Sequence, residues 1–220
     1  MAMMVTRTWA FSSSVGDNAS NNNNNNKKEY DLVVIGGGSA GLTAAKFAST
    51  FSKSSIIIEQ AKMGGDCTWY GCVPSKSFLA AAKAAHTIKT ASKRFGVDST
   101  SSNDVQVDIQ QVLSRVRDNM ERIYDEDDSP QAMAKLGIDT LVGEKATVVS
   151  PKEVRVGDTT VVAKQGIVIA TGAKPRLPMT IEGLNHDDKT SSLLTYEDIW
   201  SLEKLPTSLA IVGGGPVRVT

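Results

Sequence analysis

The sequence predicts an α/β fold: a parallel sheet with inserted helices, followed by an antiparallel β-meander. Three observations carry this. Asp31–Ile35 is a short apolar run entering a glycine cluster, as a buried parallel strand does on its way to a helix. Ser54–Glu59, containing Ile56, Ile57 and Ile58, repeats the run after an Ala-rich stretch, so strand, helix and strand make a βαβ unit. From Asp139 onward, β-rich runs alternate with turn residues.

The 220 residues suffice for one domain with a real core, or one domain and part of a second. Lys+Arg and Asp+Glu both number 24, so the zero formal charge gives no reason to expect nucleic acid or an anionic membrane surface as partner. Hydrophobic residues at 40% and charged ones at 22% fit a soluble globular chain, and no apolar run approaches the length of a membrane span. The first 28 residues differ from the rest. Met1–Ser20 is rich in Ser, Thr and Ala, and Asn21–Asn26 is a pure Asn run that buries nothing. The segment reads equally as an organelle transit peptide or as a disordered tail, which leaves chloroplast, mitochondrion and cytoplasm all open.

Taken in order, Asp31–Ile35 is the first strand, Ala40–Thr50 a helix and Ser54–Glu59 the second strand. Cys67 to about Arg94 reads as mostly helical, with Pro74 near its start and Gly96 past its end. Between Asp108 and about Asp125, apolar residues Ile109, Val112, Leu113, Val116, Met120 and Ile123 step by three and four, the spacing of an amphipathic helix. Ser129-Pro130 supplies an N-cap and a first-turn proline for a short helix ending near Gly137. Thr140–Val142, Ala146–Val149, Glu153–Val156, Thr160–Ala163 and Ile167–Ala170 read as strands. Tyr196–Leu202 reads as a short helix and Leu209–Val212 as a last buried strand.

Gly36-Gly37-Gly38-Ser39-Ala40-Gly41 is a G-x-G-x-x-G pattern between strand and helix, which makes the fold Rossmann-like. Gly36 allows a tight turn, Gly38 a close approach to a pyrophosphate, and Gly41 close packing of helix on sheet. The start of the helix, at Ser39, offers free N–H groups to phosphate. Glu59 ends the second strand, where an acid accepts hydrogen bonds from a ribose. The glycine pattern alone does not separate FAD from NAD.

The two cysteines, Cys67 and Cys72, stand five positions apart within Gly64-Gly65-Asp66-Cys67-Thr68-Trp69-Tyr70-Gly71-Cys72-Val73-Pro74-Ser75-Lys76. Two thiols are too few for a secreted disulfide framework. The only histidines, His86 and His186, do not complete a zinc site with them. Their position at a helix start favours thiolate, and Gly71 and Pro74 supply the irregularity that a disulfide across a first turn needs.

Gly-Gly-x-Cys-x4-Cys-Val-Pro-Ser-Lys after a dinucleotide pattern resembles the class I pyridine nucleotide–disulfide oxidoreductases, which include glutathione reductase, dihydrolipoamide dehydrogenase and mercuric reductase. The Asp66 and Trp69 variants look more like mercuric-reductase-like members. The resemblance runs from about Tyr30 to Gly215 and includes Ile167–Pro178, similar to the family's Ala-Thr-Gly segment. It implies an FAD-binding domain over residues 29–203. Gly36, Gly38, Ser39, Gly41 and Glu59 would bind the cofactor, with Gly65, Asp66, Ala170, Thr171 and Gly172 beside them. It also implies that Cys72 lies against the flavin, that Cys67 attacks a disulfide or binds a soft metal, and that Lys76 sits near the reactive edge of the ring.

Residues 204–220 resemble the start of an NAD(P)-binding domain. Arg218 stands at the third glycine position and the chain ends at Thr220, so an NAD(P)H site is expected to be absent from this chain alone. The family's homodimer-forming domain and its acid/base histidine are likewise not matched. His86 reads as structural or surface, and His186 as a solvated loop residue. The expected protein is an FAD-dependent NAD(P)H:disulfide or metal-ion oxidoreductase, C-terminally truncated and incomplete for turnover. The alternatives are a non-catalytic flavin-binding or interaction fragment, and a chain that does not fold stably.

Overall fold

Strand β1 (Lys27–Ile35) is apolar on both faces over its second half, and both faces are covered: Val33 and Val34 are fully buried. In the computed structural model, which describes residues 27–97, 105–176, 193–204 and 206–213, β1 lies inside a six-stranded sheet. The order is β3 (Ile138–Val142), β2 (Ser55–Glu59), β1, β6 (Thr159–Ile169), β5 (Glu153–Val156), β4 (Ala146–Ser150). Strands β3, β2, β1 and β6 run parallel, whereas β6–β5 and β5–β4 pair antiparallel. The predicted α/β class with its meander is the observed one.

Each face of the sheet has its own core. Helices α1 (Ser39–Thr50) and α5 (Pro130–Lys135) cover one face, where Leu42, Ala45, Ala132 and Met133 pack on Val34, Ile57 and Ile138. On the other face Val154, Val156, Val161 and Ala163 of the antiparallel part pack with Tyr30, Val33, Ile35, Ile56 and Ile58. Each fully buried Val, Ile or Met side chain among them contributes about 1.5–3 kcal/mol of transfer free energy.

The helices begin and end where their chemistry directs. Asp108 caps α4 (Ile109–Ile123) by accepting from the Gln110 and Gln111 N–H groups. The Ser129 hydroxyl caps α5 by accepting from Ala132 N. Gly96 closes α3 (Cys72–Phe95) in the left-handed conformation.

Several expectations are corrected. The helix predicted from Cys67 is two helices, α2 (Gly65–Trp69) and α3, because the Tyr70 and Gly71 N–H groups both turn back to the Asp66 carbonyl. Helix α4 runs on into a π-turn, Tyr124–Asp128. Thr160–Ala163 and Ile167–Ala170 are one continuous strand, β6, whose pairing with β1 shifts register between Tyr30 and Leu32. The Lys152 amine spans the polar stretch between them, donating to the Lys164 and Gln165 carbonyls. The strand around Thr140–Val142 pairs parallel with β2 instead of joining the meander.

Two C-terminal expectations also change. Tyr196–Leu202 is a turn followed by one 3₁₀ turn, Ile199–Ser201. Leu209–Val212 forms no strand: Leu209, Ile211 and Val212 are exposed, and no strand of the described sheet pairs with them. At the other end, β1 starts at Lys27, two residues inside the expected tail. Met1–Asn26, His186 and Gly214–Thr220, including Arg218, lie outside the described residues. No helix among the described residues is long and apolar enough to cross a membrane.

Candidate active site

The glycine turn is built by exclusion of side chains. Gly36 has φ +107°, and a Cβ there would stand 2.2 Å from the Ala170 carbonyl oxygen. Ala170 N donates to Ile35 O at 2.7 Å, so the end of β6 closes directly on the turn out of β1. A Cβ on Gly41 would meet the Gly36 carbonyl oxygen at 1.9 Å, so α1 can sit this close to the sheet only with glycine there. Gly38 is the N-cap of α1, and among the described residues no side chain caps the first-turn N–H groups that start at Ser39. Anionic groups are bound at such uncapped helix ends.

Glu59 has a role in the protein that its spacing did not reveal. Its Oε2 accepts from Gly37 N at 2.7 Å and its Oε1 from Ala61 N at 2.8 Å, so the carboxylate fixes the glycine turn from the end of β2. Each oxygen keeps a second lone pair for a further donor.

The second motif docks on the first, backbone against backbone. Gly64 N donates to Gly37 O at 2.8 Å. A Cβ on Gly65 would lie 2.6 Å from the Gly38 Cα, and Gly65 itself has φ +60°. Trp69 locks this approach from beneath, its indole donating to the Met63 carbonyl at 2.7 Å. The Lys62 ammonium sits 3.2 Å from the Trp69 ring centroid, over its face.

Cys67 and Cys72 are both free thiols, close enough for the Cys72 side chain to act on the titration of Cys67. Cys72 opens α3 and is exposed, whereas Cys67 is half-buried. Burial pushes the Cys67 thiol above its ordinary value and the Cys72 side chain adds to this, while hydrogen bonds from Ser39 and the Cys72 N–H oppose it. At Cys67 burial is the largest influence, and it acts against the thiolate that a helix start favours. Lys76 is exposed one turn beyond Cys72 on α3, with no ion pair among the described residues. Thr171 and Gly172 are exposed just past β6, Gly172 at φ +67°. His86 is exposed on α3.

Sequence reading missed a cleft of about 320 Å³ that leads to Cys67. Its lining combines polar Ser39, Thr43, Lys46, Thr68, Asp127 and Asp128 with apolar Leu42, Val73 and Ile123. Asp128 is buried and accepts from the Thr68 hydroxyl at 2.6 Å. Ser39, Leu42, Thr43 and Lys46 recur at the three- and four-residue spacing of one helix face, a signal present in the sequence. Asp127 and Asp128 gave none, because they stand in an acidic run that reads as solvated. A second missed contact comes from the segment after the meander. The Tyr196 hydroxyl donates to Asp66 Oδ2 at 3.0 Å, and the Trp200 indole donates to the Tyr70 carbonyl at 2.8 Å. Burial, together with the Asp66 carboxylate, pushes the Tyr196 phenol up to about 12.

A Rossmann-like sheet whose glycine turn is packed against a Cys-x4-Cys pair defines a class, and comparison with known proteins agrees. The chain belongs to the pyridine nucleotide-disulphide oxidoreductase family, whose model matches residues 30–219. Among curated proteins it is similar to dihydrolipoyl dehydrogenases. That of Mycoplasma genitalium is 29% identical over 180 residues, covering 82% of this chain and 38% of the relative. That of Chlorobaculum tepidum is 30% identical over 183 residues, covering 81% and 36%. The chloroplastic dihydrolipoyl dehydrogenase 2 of Arabidopsis thaliana is 32% identical over 181 residues, covering 80% and 29%. The chain thus spans between 29% and 38% of the length of these three relatives.

Proposed function

We propose that this chain is the FAD-binding and thiol-bearing part of a disulfide oxidoreductase. The observation that carries the reading is the junction of its two motifs: Gly64 N donates to Gly37 O at 2.8 Å, and Gly65, two residues before Cys67, lies so close to the glycine turn that a Cβ on it would stand 2.6 Å from the Gly38 Cα. A bound dinucleotide diphosphate and a redox thiol would then be neighbours by construction. The uncapped start of α1 and the side-chain-free turn at Gly36–Gly38 fit an FAD diphosphate, with Glu59 retaining lone pairs for a ribose. Gly65, Asp66 and the Ala170–Gly172 corner complete that wall. When bound, FAD supplies two-electron chemistry between the thiol pair and a reduced nicotinamide.

The chain's own residues then divide the work. Cys67, at the cleft, is the thiol that meets an incoming disulfide, and Cys72 resolves the mixed disulfide from the start of α3. Lys76, on the same side of α3 one turn on, places a positive charge where reduction leaves negative charge. The names of the relatives support a dithiol/disulfide couple over the soft-metal substrate that Asp66 and Trp69 bring to mind.

The test is the visible spectrum of the purified chain with FAD, before and after anaerobic reduction by dithiothreitol. Near-stoichiometric flavin with a long-wavelength band on reduction is expected. Cys72→Ser should lose the band and Cys67→Ser should keep it. A chain that binds no flavin overturns the proposal. Steady-state NADPH oxidation separates the flavin-binding fragment from a complete enzyme: bound flavin without turnover identifies the fragment.

A further inference from the structure

We infer that the cleft leading to Cys67 selects against anionic disulfides and takes uncharged or cationic ones, with Asp127 setting the preference. The inference rests on the reading of Cys67 as the thiol that meets the substrate. Three charged side chains line the cleft: Lys46, Asp127 and Asp128. The cation is already engaged by the protein. Lys46 Nζ donates to the Asp127 backbone carbonyl at 2.8 Å and lies 3.9 Å from Asp128 Oδ1. Asp128 is held in turn by Thr68, so Lys46 is drawn to the wall of the cleft by a partner that is itself fixed. The Asp127 carboxylate is exposed and makes no ion pair among the described residues.

Of the other charges on the elements packed around the cleft, Lys76 on α3 and Arg115, Arg117 and Asp118 on α4 are exposed and, unlike Asp127, do not line it. On α4 and the π-turn, Arg122 is bonded to Glu126 at 2.9 Å, and Glu121 faces Lys62 at 3.6 Å. On α2, Asp66 accepts from Tyr196. Asp125, beside them in the π-turn, is exposed and of the same sign as Asp127. The lining therefore carries one cation, neutralised by Asp128, and one unpaired anion. A π-turn, in place of the last turn of α4, is what brings both acids to the cleft.

The chemistry on which the preference acts is balanced within the chain and its substrate. The Cys67 thiolate attacks one sulfur of RS–SR, forming Cys67–S–S–R and releasing RS⁻. The Cys72 thiolate then attacks the Cys67 sulfur and releases the second RS⁻. The protein pair loses two electrons and becomes a disulfide, and the substrate is reduced to two thiols. A carboxylate on R must approach Asp127 before the first bond forms. A unit charge lining a partly solvated cleft changes the rate by about threefold to tenfold, and less as salt rises.

The reduced 220-residue chain tests this with three alkyl disulfides at pH 8 and low salt: cystamine, 2-hydroxyethyl disulfide and 3,3′-dithiodipropionate. Oxidation is followed by mass spectrometry, and each rate is divided by that of the same disulfide with 2-mercaptoethanol, which removes intrinsic reactivity. The expected normalised ratio of cystamine to dithiodipropionate is about tenfold to a hundredfold. It shrinks in high salt and collapses towards unity in Asp127→Asn, whose exposed side chain makes no ion pair among the described residues. All three disulfides reacting with a normalised ratio within about threefold of unity overturns the inference, as does a ratio that Asp127→Asn does not move. If none of the three oxidises the chain, the reading of Cys67 as the exchange thiol falls, and this inference falls with it.

Discussion

Burial and the neighbouring Cys72 thiol act on Cys67 in one direction, and the Ser39 and Cys72 N–H contacts act in the other. The net shift is upward, so at neutral pH Cys67 holds less thiolate than a free cysteine. Its reactivity should climb with pH through and beyond the ordinary thiol range. Iodoacetamide labelling of Cys67, read by mass spectrometry against pH, checks this. Cys72→Ala should move the curve to lower pH by removing a cause of the rise. Ser39→Ala should move it to higher pH by removing a contact that favours the thiolate. Both residues were legible as site residues from Gly-Gly-x-Cys-x4-Cys and the glycine pattern. The direction of the shift was not, because desolvation depends on which neighbours the fold brings around the sulfur, among them Ser39 from α1.

At the scale of elements, the junction of β1 with α1 puts helix propensity against packing. Alanine is favoured over glycine inside a helix by about 1 kcal/mol. In Gly41→Ala, however, the new Cβ would lie 1.9 Å from the Gly36 carbonyl oxygen, which belongs to backbone and cannot swing aside. The clash wins, and a net loss of about 1–3 kcal/mol is expected in urea unfolding. A Gly41→Ala chain as stable as the parent would mean that α1 is free to move off the sheet. The strands β1 and β2 and the Ser129-Pro130 cap were readable because their signals are local: apolar runs, a side-chain acceptor, a proline at the first turn. Leu209–Val212 has the same apolar run, yet forms no strand here. Composition reports that a segment can be buried in a sheet, and only a neighbouring strand makes it one. Likewise β6 hid its continuity, since Lys164-Gln165-Gly166 reads as a break when the carbonyls that Lys152 satisfies are out of view.

For the whole molecule, the described surface carries large apolar side chains in clusters. Phe47 and Phe51 on and after α1 are 65% and 61% exposed and stack edge to face at 4.9 Å. Exposed pairs of this kind bind apolar dyes and promote association. Phe47→Ser with Phe51→Ser should lower anilinonaphthalene sulfonate fluorescence and shift sedimentation towards a single species. The unfolding free energy should change by no more than about 0.5 kcal/mol, because neither ring is buried. Unchanged dye binding would assign the apolar surface to Leu209–Val212 instead.

Strand β6 also sets an order of events in synthesis. Asp31 and Gln165, bonded side chain to side chain across the β1–β6 pair, stand 134 positions apart. The glycine turn and the cysteine pair leave the ribosome early, but the strand whose Ala170 closes on Gly36 comes late. Contacts so distant along the chain form slowly, and β1 has one side of its backbone unpaired until they do. A nascent chain halted before residue 160 would therefore carry every glycine of the turn and both thiols, yet neither the closed corner nor the strand that shields it.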